Sequence, residues 1–317
     1  MRNLIGLLAS AALFANPLAA QPFNGCPARE ILTAFNDFGL VGKPPPVAWR
    51  SFVRDPKAQY IEPFRTFDNV QYVGACWVSA WAIQTNAGVV LIDTLHDPHV
   101  DQLIANLDKA GISLADIKYV LMTHGHFDHV GGAAKLKPFL PNAKFVMTQI
   151  GWDEAMESAR APESTPLRWS MIEQDVVVKD GDVIQFGGNN FGVLETPGHT
   201  LGTASYTFDV KDGAITYRAV TVGGLGLNAI KNSKQVEVFI ASLDRLSGLV
   251  TQSNQPVAVH LTTHGFSNGM MELRARISAR KPGDLNPLVD ADAFLKQIAS
   301  LRSGAEVRLD SERRAGR

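Results

Sequence analysis

His124-Gly125-His126-Phe127-Asp128-His129 places three histidines and a carboxylate within six residues. Imidazole and carboxylate groups are the ligands that proteins offer to zinc and similar metals. The apolar residues 117–122 precede this run and predict a strand, so the run is expected on the loop at the end of that strand. On such a loop, His124 and His126 can point one way while Asp128 and His129 turn toward a neighbouring position. The run therefore predicts a metal centre, with room for two ions.

Two further histidines occupy similar places in the chain. His199 follows a predicted strand at residues 191–196, and His264 follows a predicted strand at residues 257–262. Loops that leave a rigid scaffold are where functional residues collect. A structural role is the simpler interpretation of either histidine alone. Beside the first cluster, both are predicted to bind metal.

Strand and helix patterns alternate through most of the chain. Asp97-Pro98 is predicted to open a helix that ends at Gly111. Other strands are predicted at residues 71–73, 77–83, 89–92, 144–147, 183–186, 203–209 and 214–222, with hairpin turns at Asp180-Gly181 and Asp212-Gly213 and helices after Val130, around 236–243 and at 289–301. This pattern predicts an α/β fold of two sheets covered by helices, in one domain from residue 61 to residue 317.

The N-terminal part of the chain differs from the rest. In residues 1–20, Arg2 is followed by an apolar run at 4–15 and then by small residues, which predicts a secretory signal. The run is shorter than the roughly 20 residues of a membrane span; a buried first helix is the alternative. We therefore expect a periplasmic or secreted protein without a membrane anchor once the signal is removed. Residues 21–60, which include Pro44-Pro45-Pro46, are predicted to form an extended N-terminal arm.

Composition narrows the range of partners. A formal net charge of −1 lacks the positive excess that is typical of proteins that bind nucleic acid, so a small-molecule substrate is expected. The two cysteines, Cys26 and Cys76, either form one disulfide in an oxidising compartment or remain two unpaired thiols. Nothing in the sequence indicates the oligomeric state.

The histidine motifs resemble those of a known family. HGHFDH at 124–129, followed by Gly131-Gly132, is similar to the HxHxDH signature of the metallo-β-lactamase superfamily. The segment Thr196-Pro197-Gly198-His199-Thr200 resembles the second metal motif of that superfamily. Segments between Pro63 and Asp93 resemble the start of the β-lactamase subclass with a histidine-rich first zinc site. The resemblance extends over residues 60–300.

This resemblance implies an αββα sandwich with two zinc ions at one edge. The first zinc would be bound by His124, His126 and His199. The second would be bound by Asp128, His129 and His264. The implied reaction is hydrolysis, in which zinc-bound hydroxide attacks a carbonyl carbon while Asp128 orients it as the catalytic residue. Ligating histidines usually donate their other N–H to a nearby acceptor, and Asp93 is a candidate for that role.

The segment after the predicted strand at residues 214–222 departs from that subclass. Its β-lactamases carry serines there that help to hold the substrate carboxylate, whereas Gly224 and Gly226 have no hydroxyl. A serine at Gly224 is therefore expected to lower the KM for a carboxylate-bearing β-lactam. Trp77 and Asn228 are further candidates for the substrate pocket. The simpler interpretation of Trp77 is core packing, and that of Asn228 is an exposed loop residue. The remaining candidates are Trp81 and Trp152 for the pocket mouth, and His96, His99 and His260 as residues that do not bind metal.

The motifs favour a zinc-dependent, β-lactamase-like hydrolase that opens a cyclic amide. The alternative is another metal hydrolase of the same fold: a lactonase, an esterase or thioesterase, or a hydrolytic dehalogenase. The glycines at 223–226 favour this alternative, because they provide no charge complement for a carboxylate. A metal-binding protein without catalytic activity is the third hypothesis, and it would not need a second, open metal position.

Overall fold

The computed structural model describes residues 26, 28–41, 51–160 and 168–316. The segment predicted as a signal, residues 1–20, and the prolines at 44–46 lie outside these residues. The signal and the domain limits 61–317 therefore stay predictions. Within the described ranges, none of the helices combines the length and the apolar character that crossing a membrane requires.

Two sheets form the body of the described chain. The first has seven strands, which lie in the sheet in chain order: β1 (Phe64–Phe67), β2 (Val70–Tyr72), β3 (Trp81–Thr85), β4 (Gly88–Ile92), β5 (Ile117–Leu121), β6 (Lys144–Thr148) and β7 (Val176–Val178). The second has five strands in the order β12–β11–β10–β9–β8: β8 (Val183–Phe186), β9 (Asn189–Glu195), β10 (Ala204–Asp212), β11 (Ile215–Thr221) and β12 (Val257–His260). Pairing is parallel from β4 to β7 and between β11 and β12, and antiparallel elsewhere.

Helices cover these sheets. In chain order they are α1 (Ala28–Val41), α2 (Val100–Lys109), α3 (Phe127–Val130), α4 (Ala133–Leu136), α5 (Gln149–Ala159), α6 (Ser233–Thr251), α7 (Met270–Ser278) and α8 (Ala291–Arg314). The larger hydrophobic cluster contains residues of both sheets, such as Phe145 of β6 and Phe208 of β10. A second cluster joins α6 and α8 to β11 and β12, through residues such as Phe239 and Phe294. The predicted α/β fold with two sheets and helices against them is confirmed.

Helix α2 shows how the sequence pattern sets local structure. Apolar residues recur at helical spacing and are fully buried, namely Val100, Leu103 and Leu107. Gly111 follows the helix with a φ of +73°, as its predicted role as the end of the helix requires. The predicted start is wrong, because the N-cap is His99. The carboxylate of Asp97 pairs with Lys135 instead of capping the helix.

Residues 77–83 are only partly the predicted strand. β3 begins at Trp81, and the preceding residues form a bend. Two backbone hydrogen bonds close this bend, from Ala75 N–H to Val78 O at 2.8 Å and from Val73 N–H to Ala80 O at 2.9 Å. The bend matters for function because it contains Cys76 and Trp77.

The N-terminal arm is not fully extended. Residues 28–41 form α1, in which Ile31 is completely buried. Cys26 lies just before this helix and forms a disulfide with Cys76. The extended conformation predicted for 21–60 is therefore wrong for α1, and the open question about the cysteines is answered by a disulfide.

The two predicted hairpin turns differ in outcome. Asp212-Gly213 connects β10 and β11, and Gly213 has a φ of +60° at this turn, so the prediction is confirmed. Asp180-Gly181 joins β7 of the first sheet to β8 of the second, so the predicted hairpin is wrong. The same turn residues serve a connection between sheets as well as a hairpin.

Candidate metal centre

The six candidate ligands come from loops and a short helix that follow strands of both sheets. His124 and His126 lie in the loop after β5, Asp128 and His129 lie in α3, His199 follows β9 and His264 follows β12. The structure brings them together as two groups of three, within each of which the ligand atoms all lie within 4.8 Å of one another. The groups adjoin, since the ring centroids of His124 and His129 are 4.2 Å apart.

The first group consists of three imidazoles. His126 Nδ1 lies 3.1 Å from His124 Nε2 and 3.0 Å from His199 Nε2. Two of these residues come from the first half of the chain and one from the second. The first group therefore closes only when the two sheets have packed together.

The second group combines two imidazoles with a carboxylate. His129 Nε2 lies 3.2 Å from His264 Nε2 and 3.2 Å from Asp128 Oδ2. The distance from Asp128 Oδ2 to His264 Nε2 is 3.7 Å. This group also joins the two halves of the chain.

Acceptors behind the rings orient the imidazoles. Asp93 Oδ2 lies 2.8 Å from His129 Nδ1, the carbonyl oxygen of Gly226 lies 2.6 Å from His199 Nδ1, and that of Trp77 lies 2.9 Å from His264 Nδ1. Carboxylate and carbonyl oxygens only accept, so each Nδ1 carries the proton and donates it. Nε2 of His199 and of His264 then presents its lone pair to the centre, and Nε2 of His129 can do so once its proton is lost.

Asp93 also reaches His124 through a threonine. Thr123 donates its backbone N–H to Asp93 Oδ1 at 2.8 Å and its hydroxyl to Asp93 Oδ2 at 2.9 Å. The hydroxyl oxygen of Thr123 lies 3.2 Å from His124 Nδ1, where it can accept. One buried carboxylate thus orients a histidine of each group, which is the role predicted for Asp93.

Burial keeps four of the imidazoles neutral. It holds the pKa of His124 well below the usual value, and it lowers the pKa of His126 to about 3 and those of His199 and His264 to about 4. Neighbouring imidazoles add to this effect. Neutral imidazole is the form that binds a metal ion, so these side chains need not lose a proton at neutral pH.

Asp128 and His129 form the charged part of the centre. Burial disfavours both charges, but His129 and His264 outweigh it and hold the pKa of Asp128 well below its usual range. Burial likewise opposes the charge of His129, while Asp128 and Asp93 raise the pKa of His129 to about 10. A bound cation would take the place of that proton beside the two carboxylates.

The donor set fits a first-row metal ion such as zinc. Four donors around tetrahedral zinc, with bonds of about 2.0–2.1 Å to nitrogen, lie roughly 3.3 Å apart. Donors of the first group are separated by 3.0 and 3.1 Å along the two contacts through His126. Imidazole with one carboxylate also suits several other divalent metals, so the residues indicate metal ions without fixing their identity.

The glycine segment, residues 223–226 after β11, packs directly on the candidate ligand His199. A Cβ at Gly224 would lie 2.5 Å from His199 Cδ2 and 2.7 Å from His199 Cβ and Cγ. The structure therefore leaves no room for the serine expected to improve β-lactam binding at Gly224. At Gly226 a Cβ would meet Asn228 Oδ1 at 2.2 Å and His199 Cε1 at 3.5 Å. Gly224 supports a ligand, while Gly226 and Asn228 are partly exposed beside it.

The aromatic candidates fall into two classes. Trp81 and Trp152 are completely buried, and their indole N–H groups donate to Thr262 O and Val176 O, so both belong to the core. Trp77 lies beside the centre, with its ring centroid 5.6 Å from that of His264 and 6.1 Å from that of Phe127. Phe127, which the sequence analysis did not single out, is partly exposed between two ligands.

Three other histidines are not members of the two groups, although the ring centroid of His96 lies 5.0 Å from that of Phe127. His96, His99 and His260 are buried, and none belongs to a group of three potential ligand side chains among the described residues. Burial lowers the pKa of His96 and of His260 to about 4. Their interpretation as residues that do not bind metal stays a prediction.

Similarity in sequence to curated proteins extends over part of the chain. A hydroxyacylglutathione hydrolase of Rhodopseudomonas palustris is 38% identical over 133 residues, which cover 42% of this chain and 44% of that protein. One of Nitrobacter hamburgensis is 33% identical over 152 residues, covering 46% of this chain and 51% of that protein. The chain thus spans about half the length of the curated relatives it matches.

Similarity in structure extends over most of the chain. A subclass B3 metallo-β-lactamase of Bradyrhizobium japonicum superimposes with a TM-score of 0.73 and 25% identity, covering 86% of this chain and all of that one. A metallo-β-lactamase of Legionella gormanii gives a TM-score of 0.72 over 80% of this chain and 98% of that one, at 24% identity, which supports the fold alone. The family model described as "Metallo-beta-lactamase superfamily" matches residues 73–282, about two thirds of the chain. The sequence motifs, the two sheets and this match agree, and the chain belongs to the metallo-β-lactamase superfamily.

Proposed function

We propose that this protein is a secreted zinc hydrolase that opens the ring of β-lactam-type cyclic amides. The observation that carries the proposal is the structural match to the subclass B3 enzyme of Bradyrhizobium japonicum, which covers the whole of that enzyme at 25% identity. The donor groups support it, because three imidazoles face a second group that contains the carboxylate of Asp128.

Different residues near the centre would have different roles in this hydrolysis. Metal ions in the two groups would lower the pKa of water and polarise a carbonyl. Asp128, which is 5% exposed and lies beside His129, would accept a hydrogen bond from the attacking water and fix its direction. Trp77 and Phe127 lie along one side of the centre, where their rings would shield the reacting groups from water.

The glycine segment limits how such a substrate is held. Residues 223–226 offer backbone N–H groups but no hydroxyl to a substrate carboxylate. A hydrogen bond to a charged group contributes about 1.5–3 kcal/mol, or roughly 10- to 150-fold in affinity. We therefore expect turnover of β-lactams with a high KM.

A thioesterase is the second candidate function. The 38% identity to a hydroxyacylglutathione hydrolase over 133 residues favours it. In that case the same centre would cleave a glutathione thioester.

A substrate panel separates these candidates. Rates would be measured for the zinc-loaded mature chain on nitrocefin, a carbapenem, a hydroxyacylglutathione thioester and a homoserine lactone, with chelated protein as the control. The proposal expects metal-dependent turnover of at least one β-lactam above the rate on the thioester. Turnover of the thioester or the lactone alone, with no lactam hydrolysis at millimolar substrate, would contradict it.

The proposed location has its own support and test. The disulfide between Cys26 and Cys76 is typical of an oxidising compartment. Cell fractionation should therefore recover the protein outside the cytoplasm, with an N-terminus that begins after residue 20. An intact Met1 on the recovered protein would exclude signal removal.

A further inference from the structure

Helix α5 touches both loops that supply the first group. A Cβ at Gly125, between His124 and His126, would lie 2.7 Å from the backbone nitrogen of Ala155. A Cβ at Gly202, three residues after His199, would lie 2.2 Å from the backbone nitrogen of Gly151. The backbone of α5 therefore lies in direct contact with both loops.

Glu154 of α5 ties the second of these loops to the helix. Its Oε1 accepts the backbone N–H of Leu201 at 2.9 Å, and its Oε2 accepts that of Gly202 at 3.1 Å. Thr148, the N-cap of the same helix, donates its hydroxyl to Gly202 O at 2.7 Å. Hydrogen bonds from backbone N–H groups to a carboxylate are short and strong, and two parallel ones also fix direction.

The other side of this loop is held by α6. Gln235 donates to Gly198 O at 2.7 Å, and Ser242 donates to Pro197 O at 2.6 Å. His199 therefore lies between a contact with the second half of the chain and the contact with Glu154, which comes from the first half. The contact with Glu154 joins the His199 loop to the helix that packs on Gly125.

We propose that Glu154 is a positioning residue that places His199 against His124 and His126, and thereby sets the metal affinity of the first group. It acts through the backbone of residues 201 and 202 and does not touch the metal. Without Glu154, α6 still holds one side of the loop, and α5 holds the other only through Thr148 and the contact of Gly202 with Gly151. The two hydrogen bonds that fix the backbone of residues 201 and 202 are lost, and with them part of the restraint on the distance from His199 to the other two histidines. This inference rests on the metal-binding part of the proposed function and is independent of the substrate.

Two substitutions and one matched control test it. Glu154→Ala removes both acceptors, and Glu154→Gln keeps one oxygen but turns an NH2 group toward the other backbone N–H. Glu157→Ala changes an exposed carboxylate on the same helix, for which the described structure shows no side-chain contact with the loop. Zinc dissociation constants of both positions would be measured on the mature chain by competition with a chromophoric chelator, together with the Tm of the metal-free proteins.

The first zinc should bind about 10- to 100-fold more weakly to Glu154→Ala, the range observed when groups that orient metal ligands are lost. Glu154→Gln should fall between this variant and the wild type. The second zinc and the metal-free Tm should match those of Glu157→Ala. First-site affinity equal to that of Glu157→Ala would overturn the proposal, as would equal weakening of both positions with a fall in the metal-free Tm. A wild type that binds no zinc would overturn it together with the proposed hydrolase.

Discussion

Asp128 carries a charge in a place where burial alone would neutralise it. Its Oδ2 lies 3.2 Å from His129 Nε2 and 3.7 Å from His264 Nε2, and these rings keep its pKa well below the usual range. A group fixed in this way is already oriented when a substrate arrives.

Asp128→Asn should therefore reduce kcat by about 10²-fold or more, the scale of losing one preorganised group. The amide is nearly isosteric, so folding should change little, while the loss of charge weakens the second group. Initial rates at saturating zinc, with elemental analysis of the same samples, would measure both effects. Near-normal kcat with two zinc ions retained would remove Asp128 from the mechanism.

Gly224 and Gly226 make a matched pair for testing what the glycine segment does. A Cβ at Gly224 meets the ring of His199, which is anchored by its hydrogen bond to Gly226 O. Gly224→Ala should cost about 1–3 kcal/mol of overpacking and should displace His199, with loss of zinc from the first group. Gly226→Ala should keep its zinc, because the atom in its way belongs to the side chain of Asn228, which can turn aside. Equal zinc content in the two variants would contradict this account.

Residue types predicted the six candidate ligands, but they could not predict what orients those ligands. Histidine and aspartate are recognisable in a sequence because their side chains carry the chemistry. The acceptors for His199 and His264 are the backbone carbonyls of Gly226 and Trp77, and every residue has such a carbonyl. Asp93 was predictable because its carboxylate is a side chain, although the sequence did not show that it serves both groups.

Among the elements, α1 is held to the body by a covalent bond. The disulfide from Cys26 reaches Cys76, directly before Trp77, whose carbonyl oxygen orients His264. Cross-linking residues 50 apart restricts the unfolded chain and contributes roughly 4 kcal/mol in the loop-entropy treatment.

Cys26→Ser combined with Cys76→Ser should lower the free energy of unfolding by about 2–5 kcal/mol, the usual cost of losing a native disulfide. It should also weaken the second zinc more than the first, because the bend at residues 74–80 loses its tether. Urea unfolding and zinc competition on the oxidised wild type and the double variant would measure the two effects. Unchanged stability would contradict the expected restriction of the unfolded chain by this disulfide.

β12 contributes a pH-sensitive group away from the metal centre. His260 is buried against Phe294 of α8, with ring centroids 4.4 Å apart, and burial lowers the pKa of His260 to about 4. The unfolded imidazole, with a pKa of about 6.5, takes up a proton first as pH falls. The contribution of the neutral, buried His260 imidazole to the free energy of unfolding is therefore complete well above pH 6.5, and it is lost progressively as the pH falls toward 4.

Between pH 7 and pH 5, the wild type should lose about 2 kcal/mol more stability than His260→Gln, from the linkage of protonation to unfolding. Urea unfolding of the metal-free proteins at both pH values isolates this difference, because the other histidines are common to both. Parallel losses would show that His260 titrates normally in the folded protein.

Element boundaries were harder to predict from the sequence than element types. The apolar spacing of α2 predicted the helix itself. Its start was predicted wrongly, because Asp97-Pro98 has the sequence of an N-cap but Asp97 pairs with Lys135 on the surface. Likewise, Asp180-Gly181 gave the position of a turn but not which sheet the chain enters next. Both errors concern partners that are distant in sequence, which local patterns do not contain.

At the scale of the whole molecule, each metal group joins the two sheets. Backbone hydrogen bonds strengthen the same edge, from Ala204 N–H to Thr123 O and from Ser79 N–H to Thr263 O, both at 2.8 Å. A bound metal would therefore stabilise the packing of one half of the chain against the other.

Removal of metal should lower the Tm accordingly. Zinc at 100 times its dissociation constant stabilises the folded state by about 2.7 kcal/mol for each site. Calorimetry with and without a chelator should show this loss, and restored zinc should reverse it. A Tm that is indifferent to zinc would mean that the ions do not join the sheets.

The placement of the ligands along the chain also governs when metal can be acquired. Four of the six lie between residues 124 and 129, but the first group is completed by residue 199 and the second by residue 264. A chain that is still being synthesised offers incomplete donor sets, so metal loading would follow folding. Because imidazole and carboxylate accept several divalent metals, the metals present where and when the chain folds would decide which ion the protein binds.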